Sequence, residues 1–242
     1  MKTIIKTLIA APLAFCAALA TIERADAATL VVNHDEWTLS NSGFSAAPDA
    51  AQFVANLVAE FGTTLHAYST NFGFTGSSLA SAMSIAGATY TTGTGFAFTL
   101  ANLSAYDGLF LGGDYLTAGE LGVLSSYIAG GGNVYIAGGT GAGGPAGEAA
   151  AWNSFLAPFN VQMGSPYNGV SGNTAVSGDP LFAGVAELFS NNGNPLSGSS
   201  VVCCAAGGQY AVTRAAVVPL PASLPMLTLA VGLLGWRASR KT

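Results

Sequence analysis

Gly108-Leu-Phe-Leu111, Gly112-Gly113, Thr117-Ala-Gly-Glu120, then Gly130-Gly-Gly132 and Asn133-Val-Tyr-Ile-Ala137: this order of runs decides the fold. The first and last are short, mostly apolar stretches of the kind a buried strand shows. Between them Thr117 and Glu120 form a T-x-x-E capping box, in which each residue satisfies a free N–H of a helix's first turn. Leu121, Leu124 and Ile128 then recur at helical spacing, and three glycines stop the helix. Strand, helix, strand at this spacing requires a parallel pair joined by a right-handed crossover.

Working outward, the pattern repeats on both sides. Upstream, Thr29-Leu-Val-Val-Asn33 reads as a buried strand. Ala51, Val54, Leu57, Val58 and Phe61 give a helix over 48–61 that Gly62 closes, and Thr64 to Tyr68 reads as a second strand. A short helix is expected at Ser77 to Ile85. Downstream, Gly138 to Gly144 form a glycine-rich loop, followed by a helix from about Gly147 to Ala157 and a strand at Asn160 to Met163. Asp179-Pro180 starts a turn, Asn192-Gly193 has the composition of a hairpin turn, and Ser200 to Cys204 with Gln209 to Thr213 read as a closing strand pair. The expected class is α/β, a doubly wound and mostly parallel sheet sandwich of the flavodoxin-like kind, over residues 28–216.

The two ends of the chain read differently from this body. Lys2 and Lys6, an apolar stretch from Leu8 to Ile22, and Ala25-Asp26-Ala27 have the three-part form of a secretory signal, so 1–27 is expected to be cut by signal peptidase. Cys16 would leave with it. At the other end Val218-Pro219-Leu220-Pro221-Ala222 precedes an apolar run from Leu224 to Trp236, and Arg237, Arg240 and Lys241 follow as a basic stop. Those 13 apolar residues cover roughly 20 Å as a helix, short of a hydrocarbon core of about 30 Å, so they suit a transient transmembrane anchor in the inner membrane.

This tail, 217–242, resembles the PEP-CTERM sorting signals of Gram-negative bacteria in their VPLPA form. The resemblance implies an exosortase-type sorting peptidase as partner, and release to the cell surface or an extracellular matrix, often a biofilm with exopolysaccharide. An ordinary single-span anchor with incidental prolines is the alternative.

Between Ala28 and Ala216 ten carboxylates face Arg214 alone, a formal net charge of −9 with no lysine. Such a body is repelled by nucleic acid and anionic lipid, which disfavours DNA, RNA and phosphate-rich partners.

Tyr106 to Thr140, with the segment Leu116-Thr-Ala-Gly-Glu120 inside it, resembles the middle of class I glutamine-amidotransferase-like domains, in particular the ThuA-like branch. Asp179-Pro-Leu-Phe-Ala-Gly-Val185 is similar to a turn of that group, with Asp179 where histidine is usual. Catalytic members carry a cysteine nucleophile on the elbow after the strand matching Asn133 to Ala137. Here that elbow reads Ala137-Gly138-Gly139-Thr140, without a thiol, so amidase chemistry is not expected.

His34, Asp35 and Glu36, with Asp107 and Asp114, are expected to converge at the carboxyl ends of parallel strands, where open α/β sheets bind ligands. They are candidates for a ligand or Ca²⁺ site, or else solvated loop caps. Gly139-x-Gly141-x-x-Gly144 has the form of a dinucleotide loop, though a tight turn accounts for it as well. Cys203 and Cys204 are either a ring disulfide or two thiols. Trp37, Phe44, Phe72 and Phe74 either face sugar rings or lid the core. Two functions follow: a non-catalytic binding or structural module for extracellular polysaccharide, without cofactor, or a hydrolase of extracellular glycans using His34, Asp35 and Glu36.

Overall fold

The computed structural model describes residues 28–204 and 207–215. The signal-type segment and the tail, including Val218 to Ala222, Arg237, Arg240 and Lys241, lie outside these residues. Among the described residues no helix is long and apolar enough to cross a membrane.

In chain order the strands and helices are β1 (Ala28–Asn33), α1 (Asn41–Ala46), α2 (Ala50–Phe61), β2 (Thr64–Ala67), α3 (Phe72–Thr75), α4 (Ser77–Ile85), β3 (Thr89–Thr92), α5 (Leu100–Leu103), β4 (Gly108–Leu111), α6 (Ala118–Ala129), β5 (Asn133–Ala137), α7 (Gly144–Leu156), β6 (Gln162–Met163), β7 (Ser171–Ala175), β8 (Glu187–Asn191), β9 (Leu196–Ser197), β10 (Val201–Cys203) and β11 (Tyr210–Ala215). The central sheet runs β10-β11-β1-β5-β4-β2-β3. β1, β5, β4, β2 and β3 are mutually parallel, and β11 and β10 close one edge antiparallel.

Alternation along each strand feeds two cores. Val134 and Ile136 of β5, with Leu109 and Leu111 of β4, face α6 and α7, where Leu124, Ile128, Trp152 and Leu156 meet them. Tyr135 and Phe110 point the other way, into Phe53, Leu57 and Phe61 of α2 and Leu79 and Met83 of α4. Helices therefore cover both faces of a largely parallel sheet, the α/β layering expected from the apolar runs.

The local signals act as their chemistry requires. Thr117 accepts the Glu120 N–H while the Glu120 carboxylate accepts the Thr117 N–H at 2.8 Å, starting α6 where expected. Gly62, at φ 98°, ends α2 with its N–H on the Val58 carbonyl. The closing pair β10 and β11 is also as expected. Asn192-Gly193 is not a hairpin turn, because β8 pairs with β7 and the next strand, β9, pairs with β6. Asn192 does adopt the left-handed conformation, at φ 72°, but Gly193 serves to pass over the His34 carbonyl, where any side chain would collide.

Candidate functional site

The carboxyl ends of β1, β2, β4 and β5 open onto four loops that carry the chemistry. β1 runs straight into His34, Asp35 and Glu36, all buried. Asp35 starts a 3₁₀ turn over Glu36–Leu39: one carboxylate oxygen accepts the Trp37 N–H at 3.0 Å, and the other accepts the Asn191 N–H. Burial pushes the Asp35 carboxyl up to about 6, against the pull of these two bonds, and the Glu148 charge adds to the rise. Glu36 accepts from the Asn71 amide, in the loop after β2. Desolvation, opposed by that bond and reinforced by Asp35 and Glu148, pushes Glu36 up to about 7.

His34 is fully buried. Its Nδ1 meets the Asn168 amide nitrogen at 3.0 Å, which can only donate, so Nδ1 accepts and the Nε2 proton goes to Ser190 Oγ at 2.8 Å. Burial lowers its pKa to about 4, keeping the ring neutral. The other histidine, His66, is held the same way: burial lowers its pKa, and its nitrogens meet Thr91 Oγ1 and the Gly93 carbonyl.

The loop after β5 holds the group that the sequence reading missed. Gly139, at φ 66°, and Thr140 turn their N–H groups inward, and both donate to the carboxylate of Glu148 from the second turn of α7. The Thr140 hydroxyl donates to it as well. Asn194 completes the clamp: its Oδ1 accepts the Gly139 N–H at 3.0 Å, while its amide donates to the carbonyls of Pro145 and Gly164. Backbone donors at a glycine loop before a helix are anion-binding geometry. Here the anion is the chain's own carboxylate, which burial holds above the usual range despite the hydrogen bonds from Thr140 and Gly139 that pull it down. An acid one helical turn beyond a glycine-rich loop was the available signal. Asn194, distant in sequence, gave none.

Asp114, after β4, accepts the Thr70 N–H at 2.6 Å and the Ser69 hydroxyl at 3.3 Å. It shares the loop that carries Asn71, the partner of Glu36, so the ends of β1, β2 and β4 are linked through residues 69–71. Asp107 is placed differently from the expectation. Preceding β4, it lies at the amino end of the sheet, where its carboxylate accepts the N–H groups of Thr63 and Thr64 at 2.9 and 2.8 Å. The reason is polarity: the residue before a parallel strand and the residue after it stand at opposite ends. Among the described residues no three His, Cys, Asp or Glu side chains form a group able to hold a metal.

Between these loops lies a cleft of about 290 Å³ lined by Thr70, Asn71, Gly113, Asp114, Thr140, Gly141 and Ala142. Two exposed aromatics adjoin it in sequence: Phe72, 44% exposed and edge-to-face with Trp37 at 4.9 Å between centroids, and Tyr115, 42% exposed. The Tyr167 hydroxyl lies near the Gly141 backbone, buried and without a hydrogen-bond partner among the described residues. Of the other aromatics singled out, Phe74 is core and Phe44 packs against it, as lids would. Cys203 and Cys204 are disulfide-bonded to each other at the end of β10, away from the cleft lining.

No known protein family matches the chain, and no curated protein matches it. A solved structure described as "mmIFT52 N-terminal domain" is similar in shape, with a TM-score of 0.42 and 15% identity over 64% of this chain and 87% of its own.

Proposed function

We propose that this chain is an exported cell-surface or matrix protein whose amidotransferase-like body is a non-catalytic module that binds extracellular polysaccharide. In this reading signal peptidase removes 1–27, the tail holds the chain transiently in the inner membrane, and an exosortase-type peptidase releases it. The observation that carries the non-catalytic half is the occupied elbow. The N–H groups of Gly139 and Thr140, which would stabilise an oxyanion in a catalytic relative, are taken by Glu148 and Asn194, and no thiol stands beside them.

The cleft supports the binding half. Its lining offers hydroxyls, an amide and one carboxylate, Tyr167 has an unsatisfied hydroxyl near Gly141, and the exposed aromatics Phe72 and Tyr115 directly follow the lining residues Asn71 and Asp114. Flat apolar faces with convergent hydroxyl-bonding groups suit sugar rings. The surrounding charge favours neutral glycans over sulfated or uronic ones. Isothermal titration of neutral hexose polymers, with and without Ca²⁺, tests it: saturable binding with the polymer recovered at unchanged length is the expected result, and shortened chains would refute it.

One observation favours the hydrolase reading: Glu36 is pushed up to about 7 beside Asp35 at about 6, so a carboxyl proton is available near neutrality, as a general acid requires. If that reading holds, Glu36→Gln or Asp35→Asn abolishes release of new reducing ends.

A further inference from the structure

β3 has β2 on one side and no strand on the other. The N–H groups of Thr89 and Gly93 donate inward, to the carbonyls of Thr63 and Ala67 at 2.7 and 3.0 Å. In a parallel ladder alternate residues face the same neighbour, so Thr91 also serves β2, while Tyr90 and Thr92 turn their N–H and C=O groups outward. Thr89, Thr91 and Thr92 are exposed.

Free edges of this kind are ordinarily blunted by lysine, proline or an inward charge. This one has none of them: from Phe61 through Tyr106 the chain holds no Asp, Glu, Lys, Arg or Pro. Two large apolar side chains sit on either side of it in sequence. Ile85, 85% exposed, ends α4, which packs on one face of the sheet, and Leu100, 43% exposed, begins α5, which packs on the other.

We propose that β3 pairs antiparallel with β3 of a second copy of this chain about a twofold axis, joining the two sheets into one. The edge's own chemistry selects this partner. A row of alternating donors and acceptors is self-complementary across a twofold. Charge selects it too. Two bodies of net charge −9 repel each other on most approaches, and the edge at β3, carried by the neutral segment from Phe61 to Tyr106, adds no charge of its own to that repulsion. The inference stands independently of the glycan reading.

Sedimentation velocity of the full chain in density-matched detergent tests it. The expected result is a concentration-dependent monomer–dimer equilibrium. Thr92→Pro, which removes an outward N–H and no bond to β2, should weaken the dimer about tenfold, and Thr92→Glu, which adds a like charge to each edge, should do so by a similar factor. If Thr92→Pro does not fold, Thr92→Glu decides alone, since that side chain is exposed on the edge itself. A wild-type chain that is monomeric at every concentration overturns the proposal, and so does a dimer that neither substitution weakens, which would assign association to the tail.

Discussion

The two ends of the central sheet treat carboxylates in opposite ways. At the amino end Asp179 and Glu60 share Arg214: the guanidinium pairs with both Asp179 oxygens at 2.9 Å and holds that carboxyl below its usual range. At the carboxyl end Asp35, Glu36 and Glu148 are buried with no cation beside them among the described residues, and all three are held above theirs. One arrangement is a fastener built from the only basic residue of the body. The other accepts a cost in stability that ordinary packing would remove, and such sites are where open α/β sheets meet ligands. The difference teaches that charge compensation, more than burial or residue type, separates structural acids from candidate functional ones here.

The largest test of this contrast is Glu148→Ala. It strips the acceptor from the Gly139 and Thr140 N–H groups and the Thr140 hydroxyl, so a loss of about 3 kcal/mol is expected, a fall in Tm of roughly 6–12 °C. Calorimetry reads it, and a change under about 1 kcal/mol would mean that water replaces the carboxylate freely.

Next in size is the pH dependence. For Asp35 and Glu36 the folded state binds protons more tightly than the unfolded chain. Their contribution is therefore fully present below the unfolded values, 3.8 and 4.5, and is lost as pH rises through about 6 and about 7. Denaturant titrations from pH 4 to pH 8 should show stability falling on the order of 2 kcal/mol, and Glu36→Gln should flatten that slope. Asp179 carries the opposite sign: its contribution is present above its unfolded value and disappears only on acidification below it. A stability maximum at pH 8 would invert the comparison between the two ends.

Arg214→Ala should cost about 1 kcal/mol, because the guanidinium is 35% exposed and solvent screens it, even though Asp179 is itself nearly buried. The smallest expected effect on stability, under about 0.5 kcal/mol, belongs to Phe72→Ala at the cleft rim. Its signature lies elsewhere: binding of neutral polysaccharide weakened about fivefold with Tm unchanged. Unchanged binding would move the glycan surface away from this cleft.

The contrast also explains what could be read from sequence. Local rules placed β4, α6 and β5, because the capping box, the helical spacing of Leu124 and Ile128 and the glycine stop all act within a few residues of themselves. The same holds for α2 with Gly62 and for α4. The site was legible as far as its acids follow a strand directly: Asp35, Glu36 and Asp114 stand where the rule about carboxyl ends puts them. Asp107 failed that rule because it precedes its strand. Glu148, Asn194 and Tyr167 meet the loop after β5 through tertiary folding, and no local pattern records that Asn194 will clamp a loop so far from it in sequence. Asn192-Gly193 misled because a left-handed asparagine serves any sharp reversal, and here the steric demand came from the His34 carbonyl.

The carboxylate of Glu148 has one more consequence. A glycine-rich loop that faces the start of a helix is a receptor for small anions, and this one is delivered with its guest covalently attached. An outside phosphate or carboxylate must evict a tenant whose effective concentration no free solute matches, so the loop is closed to such metabolites by design of the chain itself. Shortening that tenant to alanine would vacate the seat, and acetate or formate added to the buffer should then take it and restore part of the lost stability.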